Sequence, residues 1–495
     1  MRVFEGSGLA LAEFLGLAGV VVTAVERERD GSWSLHVAGP VVACCPRCGE
    51  PSGRIKEFVG QRLAHLVVAP ARVTVHKPRL FCDQSGCEQG SFVESGPLAA
   101  RGARVSTVGR KAVGHLVGDW GVPVSRVAGA VGVAWCTAQD AFAVVADAAG
   151  VVAFGPVGED TVVPGAEDGV TEAGADAAEG EGGGPVRRSV SGPLPPVGVL
   201  GLDEHRRGRP RYHRDPDSGR WVEDADRWLT VFVDHAGHGL LGQVEGRTVA
   251  GTAAWVLSQP AAWRAGIWAV TIDMSTVYKA AARAALPDAM LAVDPFHVTQ
   301  LANKVIGDVR RRVTQEHHGR RGRADDPEYK IKGLLVRREE ALSPAARGRL
   351  LCTLSDLGDR GRQITAAWRA KELLRAVLAL AAHRSGHPIT RSDVSNALTR
   401  FFTYCATVGE TVPEITVLAE TISKWRAEIA NAVLHSLSNA ATEGVNRLVK
   451  LVYRTAFGLR NVTNQQLRAR YFASRATRPT WLHTVNHPAA GGVIS

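Results

Sequence analysis

The chain has 495 residues, a formal net charge of +10 and an isoelectric point of about 9.4. Apolar residues make up 45% of the chain and charged residues 22%, which is the composition of an ordinary globular protein. No apolar run is long enough to cross a bilayer, so no membrane span is expected, and the length predicts about three domains. The basic excess permits nucleic-acid binding without requiring it.

The first hundred residues are rich in valine and predict a small β domain at 1–100. Its apolar start is interrupted or flanked by Glu5, Glu13 and Glu26, and no small-residue cleavage pattern follows. We therefore interpret this start as folded structure rather than as a signal peptide.

Five of the eight cysteines fall between residues 44 and 87, which favours a metal site in a reducing compartment over a disulfide framework. One close pair encloses two residues, the other encloses four, and 33 residues separate the pairs. Thiolates from two such turns can surround Zn²⁺ tetrahedrally and close a small fold. The alternative is a set of buried free cysteines, with no metal. The predicted zinc ligands are Cys45, Cys48, Cys82 and Cys87, and Cys44 is a spare.

Residues 101–150 predict a helix-turn-helix. An apolar face repeats at helical spacing, Gly132 permits a turn, and "VAWCTAQDAF" begins a second helix. The first residues of that helix would meet base edges in a major groove, although a plain helical hairpin has the same pattern. The predicted inward face of the first helix is Val124, Val127, Ala128 and Val131.

Residues 151–196 predict a disordered linker, because eight acids and no bases occur between 155 and 186 among many glycines. Such a segment cannot bury enough apolar surface to offset its ordering entropy. Strand-like segments follow at 197–298, first in succession and then alternating with helices, which predicts a mixed sheet with helices on its faces. Residues 299–435 are predicted to be mainly helical and basic.

Two of these strand-like segments end in an aspartate, "GVLGLD" at Asp203 and "WAVTID" at Asp273. Neighbouring parallel strands release their carboxyl ends at one edge of a sheet, where sites tend to form. A lone aspartate at a strand end is more often a turn or helix cap, and we interpret Glu204 and Asp234 in that way.

A third acid, Glu443, lies near the start of a predicted amphipathic helix. Arg447, Lys450 and Arg454 follow it at helical spacing and form one stripe with it. We expect this stripe to present an acid for metal and three cations for phosphate, while the opposite face packs on the sheet. The predicted buried face is Val445, Leu448, Val449, Val452 and Ala456.

Phosphodiester cleavage is a reaction for which such a set of acids is suited. Carboxylates can hold two Mg²⁺ (or Mn²⁺) ions about 3.5–4 Å apart, which activate a nucleophile and stabilise the leaving oxygen. The three acids, the chain order of the strands and helix that bear them, and the cations on that helix are all typical of such a site.

These residues carry a resemblance to a known family. The zinc knuckles, the helix-turn-helix and the segments "GLDEHRRGRPRY", "TIDMSTVY", "VDPFHV" and "EGVNRLVKLVYRTAFGLRN" resemble transposases of bacterial insertion sequences, specifically the ISL-three group. That group is similar to other DDE transposases with a ribonuclease-H-like core. The resemblance extends from about residue 40 to 475 and implies the catalytic triad Asp203, Asp273 and Glu443.

The fold class that this resemblance implies is multidomain α+β, with a catalytic core interrupted by an all-α insertion. The expected parts are a zinc-binding domain at 1–100, a helix-turn-helix at 101–150, a linker at 151–196, a ribonuclease-H-like mixed α/β core at 197–298, the helical insertion at 299–435, the last catalytic helix with a basic segment at 436–480, and a tail at 481–495.

Asp294 competes with Asp273 for the role of second catalytic acid, since it also ends a strand-like segment. The ribonuclease-H-like order favours Asp273. "Asp294-Pro-Phe-His297" is similar to a motif that accompanies the triad in several transposase groups, so Asp294 and His297 are expected to be auxiliary. Pro295 stands where these transposases usually have arginine.

The helical region is also expected to contact DNA. Residues 304–349 hold thirteen Arg and Lys against seven acids, including Arg310, Arg311 and Arg312. They form either a backbone-binding surface or merely a solvated face. Trp368 and Trp425 could stack on a flipped base, but core packing is the more common role.

The predicted function is a DNA transposase that binds the terminal inverted repeats of an insertion sequence and catalyses strand cleavage and strand transfer. Double-stranded DNA is the expected partner, and joining two ends requires a homodimer or larger assembly. The expected location is cytoplasmic, at the nucleoid. One alternative is a catalytically silent DNA-binding regulator derived from a transposase, and another is a nuclease that cuts without joining.

Overall fold

The structure, a computed structural model, describes residues 8–17, 19–29, 33–66, 70–93, 98–99, 102–150, 194–223, 227–236, 239–457 and 459–474. The predicted linker lies outside these ranges as far as residue 193, and the predicted tail at 481–495 lies outside them entirely. The chain divides into two compact units, Met1–Pro193 with Leu448–Ser495, and Leu194–Arg447.

The first unit joins a β domain to a group of helices. Its strands are β1 (Val21–Arg27), β2 (Trp33–Ala38), β3 (Ala43–Cys44), β4 (Pro51–Ser52), β5 (Ile55–Leu66), β6 (Pro70–Phe81) and β7 (Ser91–Val93). Its first helices are α1 (Gly8–Phe14), α2 (Thr107–Gly118), α3 (Val124–Val131) and α4 (Trp135–Ala148).

In the described part of this unit, β1, β2, β6 and β5 lie side by side, with β7 paired to β6, while β3 and β4 pair separately. Alternate residues along β2 and β6 point to one buried face, as the two-residue period of a strand requires. That face consists of Leu35, Val37, Val73 and Val75.

The second unit is a sheet covered by helices. Its strands are β8 (Val199–Arg206), β9 (Tyr212–Arg214), β10 (Trp221–Glu223), β11 (Trp228–Asp234), β12 (Gly239–Glu245), β13 (Ala269–Ile272) and β14 (Met290–Val293). Its helices are α5 (Val249–Leu257), α6 (Ala261–Ala265), α7 (Thr276–Ala285), α8 (Pro295–His318), α9 (Pro327–Lys330), α10 (Lys332–Leu335), α11 (Pro344–Asp356), α12 (Asp359–Ala379), α13 (Ala382–Ser385), α14 (Arg391–Val408), α15 (Pro413–Lys424), α16 (Arg426–Leu434) and the first part of α17 (Ala440–Thr455), with a 3₁₀ turn at Glu339–Ala341.

Among the described residues, the main sheet has the order β12-β11-β8-β13-β14. β11 is antiparallel to both of its neighbours, β12 and β8, whereas β8, β13 and β14 run parallel to one another. The sequence prediction of a mixed sheet in a mixed α/β protein is therefore confirmed. In this sheet, Asp203 lies in β8 and Asp273 directly follows β13, and these two strands are parallel neighbours.

The last described helix is α18 (Val462–Ala473), which lies within the range 436–480 predicted to hold the last catalytic helix and a basic segment. It packs with α2 and α4 in the first unit. Leu467 and Tyr471 join the buried cluster that contains Val117 and Phe142. The physical reason is that α18 buries apolar residues on a helix whose arginines, Arg468 and Arg470, are themselves buried.

No single helix in the described ranges is long and apolar enough to cross a membrane; the bent pair α3 and α4 passes such a test only when both helices are taken together.

Candidate functional site

The carboxylates of Asp203, Glu204 and Asp273 form one cluster, in which their ligand oxygens lie within 4.8 Å of one another. Asp203 lies within β8, and Asp273 directly follows β13, the parallel neighbour of β8. The two strands are buried and apolar, so their register fixes both aspartates at the carboxyl edge of the sheet. Glu204, which we had interpreted as structural, belongs to this cluster, whereas Asp234 accepts a 2.8 Å hydrogen bond from the backbone N–H of Ala236.

The start of α17 is held against these strands by polar contacts. Asn439 Nδ2 donates to the carbonyl of Leu202 at 3.1 Å, and Thr271 Oγ1 donates to Asn439 Oδ1 at 3.1 Å. About two turns further along, Asn446 Nδ2 donates to Asp203 Oδ2 at 2.5 Å. The helix therefore faces the first aspartate with a polar side.

This orientation changes the predicted faces of the helix. Val449, Val452 and Ala456 are buried as predicted, but Val445 and Leu448 are only half-buried, because Thr442 and Asn446 occupy the buried face. The predicted stripe of Arg447, Lys450 and Arg454 is exposed.

Glu443 is not part of the carboxylate cluster. Its carboxylate lies 3.6 Å from the guanidinium of Arg447, a side chain that is 81% exposed. Residues three apart on a helix have Cβ atoms about 5–6 Å apart, so Glu443 is a neighbour of Asn446, which contacts Asp203.

The cluster is electrostatically unfavourable without a cation. Burial, followed by the charge of Glu204, raises the pKa of Asp273 to about 6, although His297 opposes the shift. Burial also raises the pKa of Asp203. Among the described residues, no hydrogen-bond partner reaches the buried Oδ1 of Asp273. An orphaned, buried carboxylate oxygen beside two further acids fits the hard oxygen ligands that divalent cations prefer.

Asp294 and His297 lie beside this cluster. Asp294 caps α8 by accepting from the backbone N–H of Phe296, and it also accepts from the backbone N–H of Asn439, both at 3.3 Å. His297 Nδ1 lies 3.2 Å from Asp294 Oδ2, and this hydrogen bond raises the pKa of His297. The structure thus brings Asp273 next to Asp203, while Asp294 braces the start of α17.

The four predicted zinc ligands converge in the first unit. All four Sγ atoms lie within 4.8 Å of one another, with Cys45 and Cys87 at 3.9 Å and Cys48 and Cys82 at 3.6 Å. A tetrahedron with Zn–S bonds of about 2.3 Å requires S···S separations of about 3.8 Å, so the geometry is compatible with structural zinc. Burial raises the pKa of the Cys45 thiol, but hydrogen bonds from the backbone N–H groups of Cys48 and Arg47 outweigh it and lower the pKa to about 7. Cys44 is exposed and lies outside the cluster.

Of the three helices described within the predicted helix-turn-helix segment at 101–150, α3 and α4 flank the predicted turn and meet at 112°. Gly132 ends α3 with φ +73, a conformation that favours glycine, and Val124, Val127 and Ala128 are buried as predicted, while Val131 is half-buried. Trp135 and Cys136 are exposed at the start of α4. A groove of about 380 Å³ adjoins this turn, and its lining includes Arg62, Arg72 and Arg104.

The three predicted DNA-binding arginines of α8 have different surroundings. Arg312 is bound bidentately by Glu414, at 2.8 and 3.1 Å, and is also paired with Glu316, so it braces α8 against α15. Arg310 is half-buried over the ring of Tyr329, and Arg311 is exposed beside Asp308. Because its acidic partners satisfy it, Arg312 has a structural role in this conformation. Trp368 and Trp425 are buried in the helical core.

Comparison with known proteins shows the family of the chain. A profile of DDE transposases of the ISL3 (ISL-three) group, described as transposase, matches residues 221–469. The "Transposase for insertion sequence element IS1557" of Mycobacterium tuberculosis, found in two strains, is 30% identical over 276 residues, which are 53% of this chain and 60% of that protein. The chain thus covers about 60% of the length of the curated relatives it matches.

These matches define the class of protein as a transposase. Because the profile covers half of the chain, the chain belongs to the ISL-three family of insertion-sequence transposases.

Proposed function

We propose that the chain binds the terminal inverted repeats of its insertion sequence and catalyses metal-dependent cleavage and strand transfer of DNA. The observation that carries the proposal is the cluster of Asp203, Glu204 and Asp273 at the carboxyl edge of two parallel strands, beside the helix that bears Glu443. The sheet order β12-β11-β8-β13-β14, with two antiparallel and two parallel pairings, supports a ribonuclease-H-like core.

In this proposal Asp203, Asp273 and Glu443 are the ligands of two Mg²⁺ or Mn²⁺ ions. When bound, such ions activate the attacking oxygen and stabilise the leaving oxygen of an in-line displacement. Asn446 fixes the orientation of the Asp203 carboxylate, and Asp294 with His297 fixes the start of the helix. Glu443 exchanges its partner Arg447 for the metal site, which frees Arg447 to bind a phosphate.

The same residues serve both steps. A water molecule held at the Asp203–Asp273 edge attacks the phosphodiester at the element end, and the 3′-hydroxyl leaves. That hydroxyl, still held at this edge, then attacks a phosphodiester of the target. Its oxygen forms a new bond to the target phosphorus, the 3′-oxygen of the target strand leaves, and the proton of the attacking hydroxyl passes to the leaving 3′-oxygen through solvent. Positioning and electrostatics supply most of the acceleration of such phosphoryl transfers.

The first unit supplies DNA recognition in this proposal. The exposed start of α4 reads base edges, and Arg62, Arg72 and Arg104 bind adjacent phosphates. Exposed cations of α8 and α17, among them Arg311, Lys450 and Arg454, add sequence-independent contacts, and the half-buried Arg310 lies beside Arg311 on α8. The protein acts on DNA of the nucleoid as a homodimer or larger assembly.

A labelled duplex that carries the element end, taken from the inverted repeats that flank the gene, tests the proposal. Incubation with purified protein and Mg²⁺ is expected to give a nick at the end and joined products, and EDTA is expected to abolish both. Cleavage without joining would instead identify a nuclease. A shifted band without cleavage would identify a DNA-binding regulator.

A further inference from the structure

A small β-hairpin projects from the main sheet of the second unit, and the proposed function assigns it no role. It comprises residues 207–223, between β8 and β11, and its strands β9 and β10 pair only with each other in the described part of the chain. The hairpin begins at the carboxyl end of β8. Asp203 and Asp273 lie at the same edge of the sheet, where the parallel strands β8 and β13 end. Whatever it binds therefore lies near the proposed cutting site.

The hairpin presents two large aromatic side chains to solvent. Trp221 is 71% exposed and Tyr212 is 51% exposed. The register pairs Tyr212 with Glu223 and Arg214 with Trp221, and cross-strand partners share a face. Tyr212, Arg214 and Trp221 therefore form one surface, with two aromatic rings and a guanidinium.

The hairpin is also basic. Residues 207–223 hold five arginines against three acids, of which Asp215 is occupied within the turn and Glu223 is paired with Arg206 of β8. Aromatic rings between arginines are suited to a polyanion with flat bases, because rings stack on bases and guanidinium groups pair with phosphates. The charge and the rings together favour DNA over an apolar protein partner.

The local structure holds this surface rigid. The carboxylate of Asp215 accepts from the backbone N–H of Ser218 at 3.1 Å, and Gly219 completes the turn with φ +65. At the base, Arg206 of β8 forms a 3.1 Å ion pair with Glu223. A preformed surface loses little conformational entropy when it binds.

We infer that this hairpin binds an unpaired nucleotide of the DNA that flanks the cut, by stacking its base on Trp221 and Tyr212 and pairing its phosphate with Arg214. Bases within a duplex are already stacked on their neighbours, so the exposed rings select a nucleotide that has left the helix. This inference rests on the proposed function, because it takes the DNA at the proposed active site as the ligand.

Two duplex probes of the element end test the inference with the full chain and without added Mg²⁺, so that no cleavage occurs. The probes differ only in whether the flank beyond the cut is paired or unpaired, and 2-aminopurine replaces the first flanking base. We expect the unpaired probe to bind on the order of tenfold more tightly, with quenching of 2-aminopurine by stacking. Trp221→Ala and Tyr212→Ala should each lose most of this preference, and Trp221→Phe should retain most of it.

Trp120→Ala is the matched control, because Trp120 is 70% exposed but lies in the first unit. It should leave the ratio of the two affinities unchanged even if it alters both.

If the wild-type protein binds both probes equally, or if Trp221→Ala keeps the preference, the hairpin inference is overturned while the proposed function stands. A Trp221→Ala variant that changes only the oligomeric state would assign the hairpin to a protein interface and overturn the inference too. Absence of any binding to either probe would overturn the proposed function together with the inference.

Discussion

The side-chain amide of Asn446 donates a 2.5 Å hydrogen bond to Oδ2 of Asp203, across 243 residues of sequence. Asp203 Oδ1 accepts the backbone N–H of Glu204 at 2.7 Å, so both oxygens of the carboxylate are oriented. Helix α17 therefore orients the carboxylate of Asp203, the first of the proposed catalytic acids, in addition to bearing Glu443.

Asn446→Ala tests whether this contact matters for catalysis. Hydrogen bonds to charged groups contribute about 1.5–3 kcal/mol, so we expect the single-turnover cleavage rate to fall by on the order of 10- to 100-fold. Asn446→Asp should be slower still, because a further carboxylate would face Asp203. Wild-type rates in both variants, with unchanged thermal unfolding, would show that the hydrogen bond has no catalytic role.

The sequence predicted the two strand-end aspartates because an apolar strand followed by an acid is a local pattern. It did not single out Asn446 or Asn439, because a polar residue on an amphipathic helix normally belongs to the solvated face. Glu204 was interpreted as a turn or cap residue, because a lone acid at a strand end usually has that role. Only the folded side chain shows that its carboxylate lies with those of Asp203 and Asp273.

Glu443 and Glu204 compete for the role of third metal ligand, and matched substitutions separate them. We expect Glu443→Gln to lower the cleavage rate by more than about a thousandfold with end binding intact, because it removes a ligand of the metal site. Glu204→Gln should cost less than about tenfold and should lower the pKa of Asp273, since one neighbouring charge is removed. Single-turnover cleavage and gel-shift assays measure both effects, and the reverse ranking would assign the site to Glu204.

The zinc prediction depended on spacing alone, and the four sulfur atoms meet as that spacing requires. Cys82→Ser should lose the metal, of which we expect about one ion per wild-type chain by elemental analysis. Structural zinc sites contribute about 10 kcal/mol or more to folding, so end binding should be lost as the β domain unfolds. The control is Cys44→Ser, which changes an exposed neighbouring thiol outside the cluster and should keep both zinc and binding. A Cys82→Ser protein with normal zinc content would refute the four-cysteine site.

Helix α18 shows where sequence reasoning reached its limit. The eight basic residues between 447 and 478 indicate either a polyanionic partner or a solvated surface. Arg468 instead donates to the carbonyl of Val122, and Tyr471 donates to Asp119, both within the first unit. Burial lowers the pKa of Arg468 and of Arg470 to about 10. Charge counts cannot distinguish such buried arginines from exposed ones, because only tertiary packing decides which carbonyl groups they satisfy.

At Gly201 the strand β8 lies in close contact with the start of α17. A Cβ atom there would lie 2.1 Å from Thr442 Oγ1, so Gly201→Ala must displace the start of α17 from β8. We expect a loss of about 1–3 kcal/mol in the free energy of unfolding, as for other overpacked cores, and a larger proportional loss of cleavage, because Asn446 and Glu443 would move with the helix. Thermal melts and single-turnover cleavage measure the two effects.

Two further variants establish the cause. Thr442 Oγ1 is buried and has no hydrogen-bond partner among the described residues, so Thr442→Ala alone should cost little, and adding it to Gly201→Ala should restore part of the stability and activity. Gly444→Ala, on the same helix but with no atom within 4 Å of the new Cβ, should stabilise the protein by about 0.5–1 kcal/mol. Strict additivity of Gly201→Ala and Thr442→Ala would mean that the two positions do not touch, and the proposed approach of the helix to the catalytic strand would be wrong.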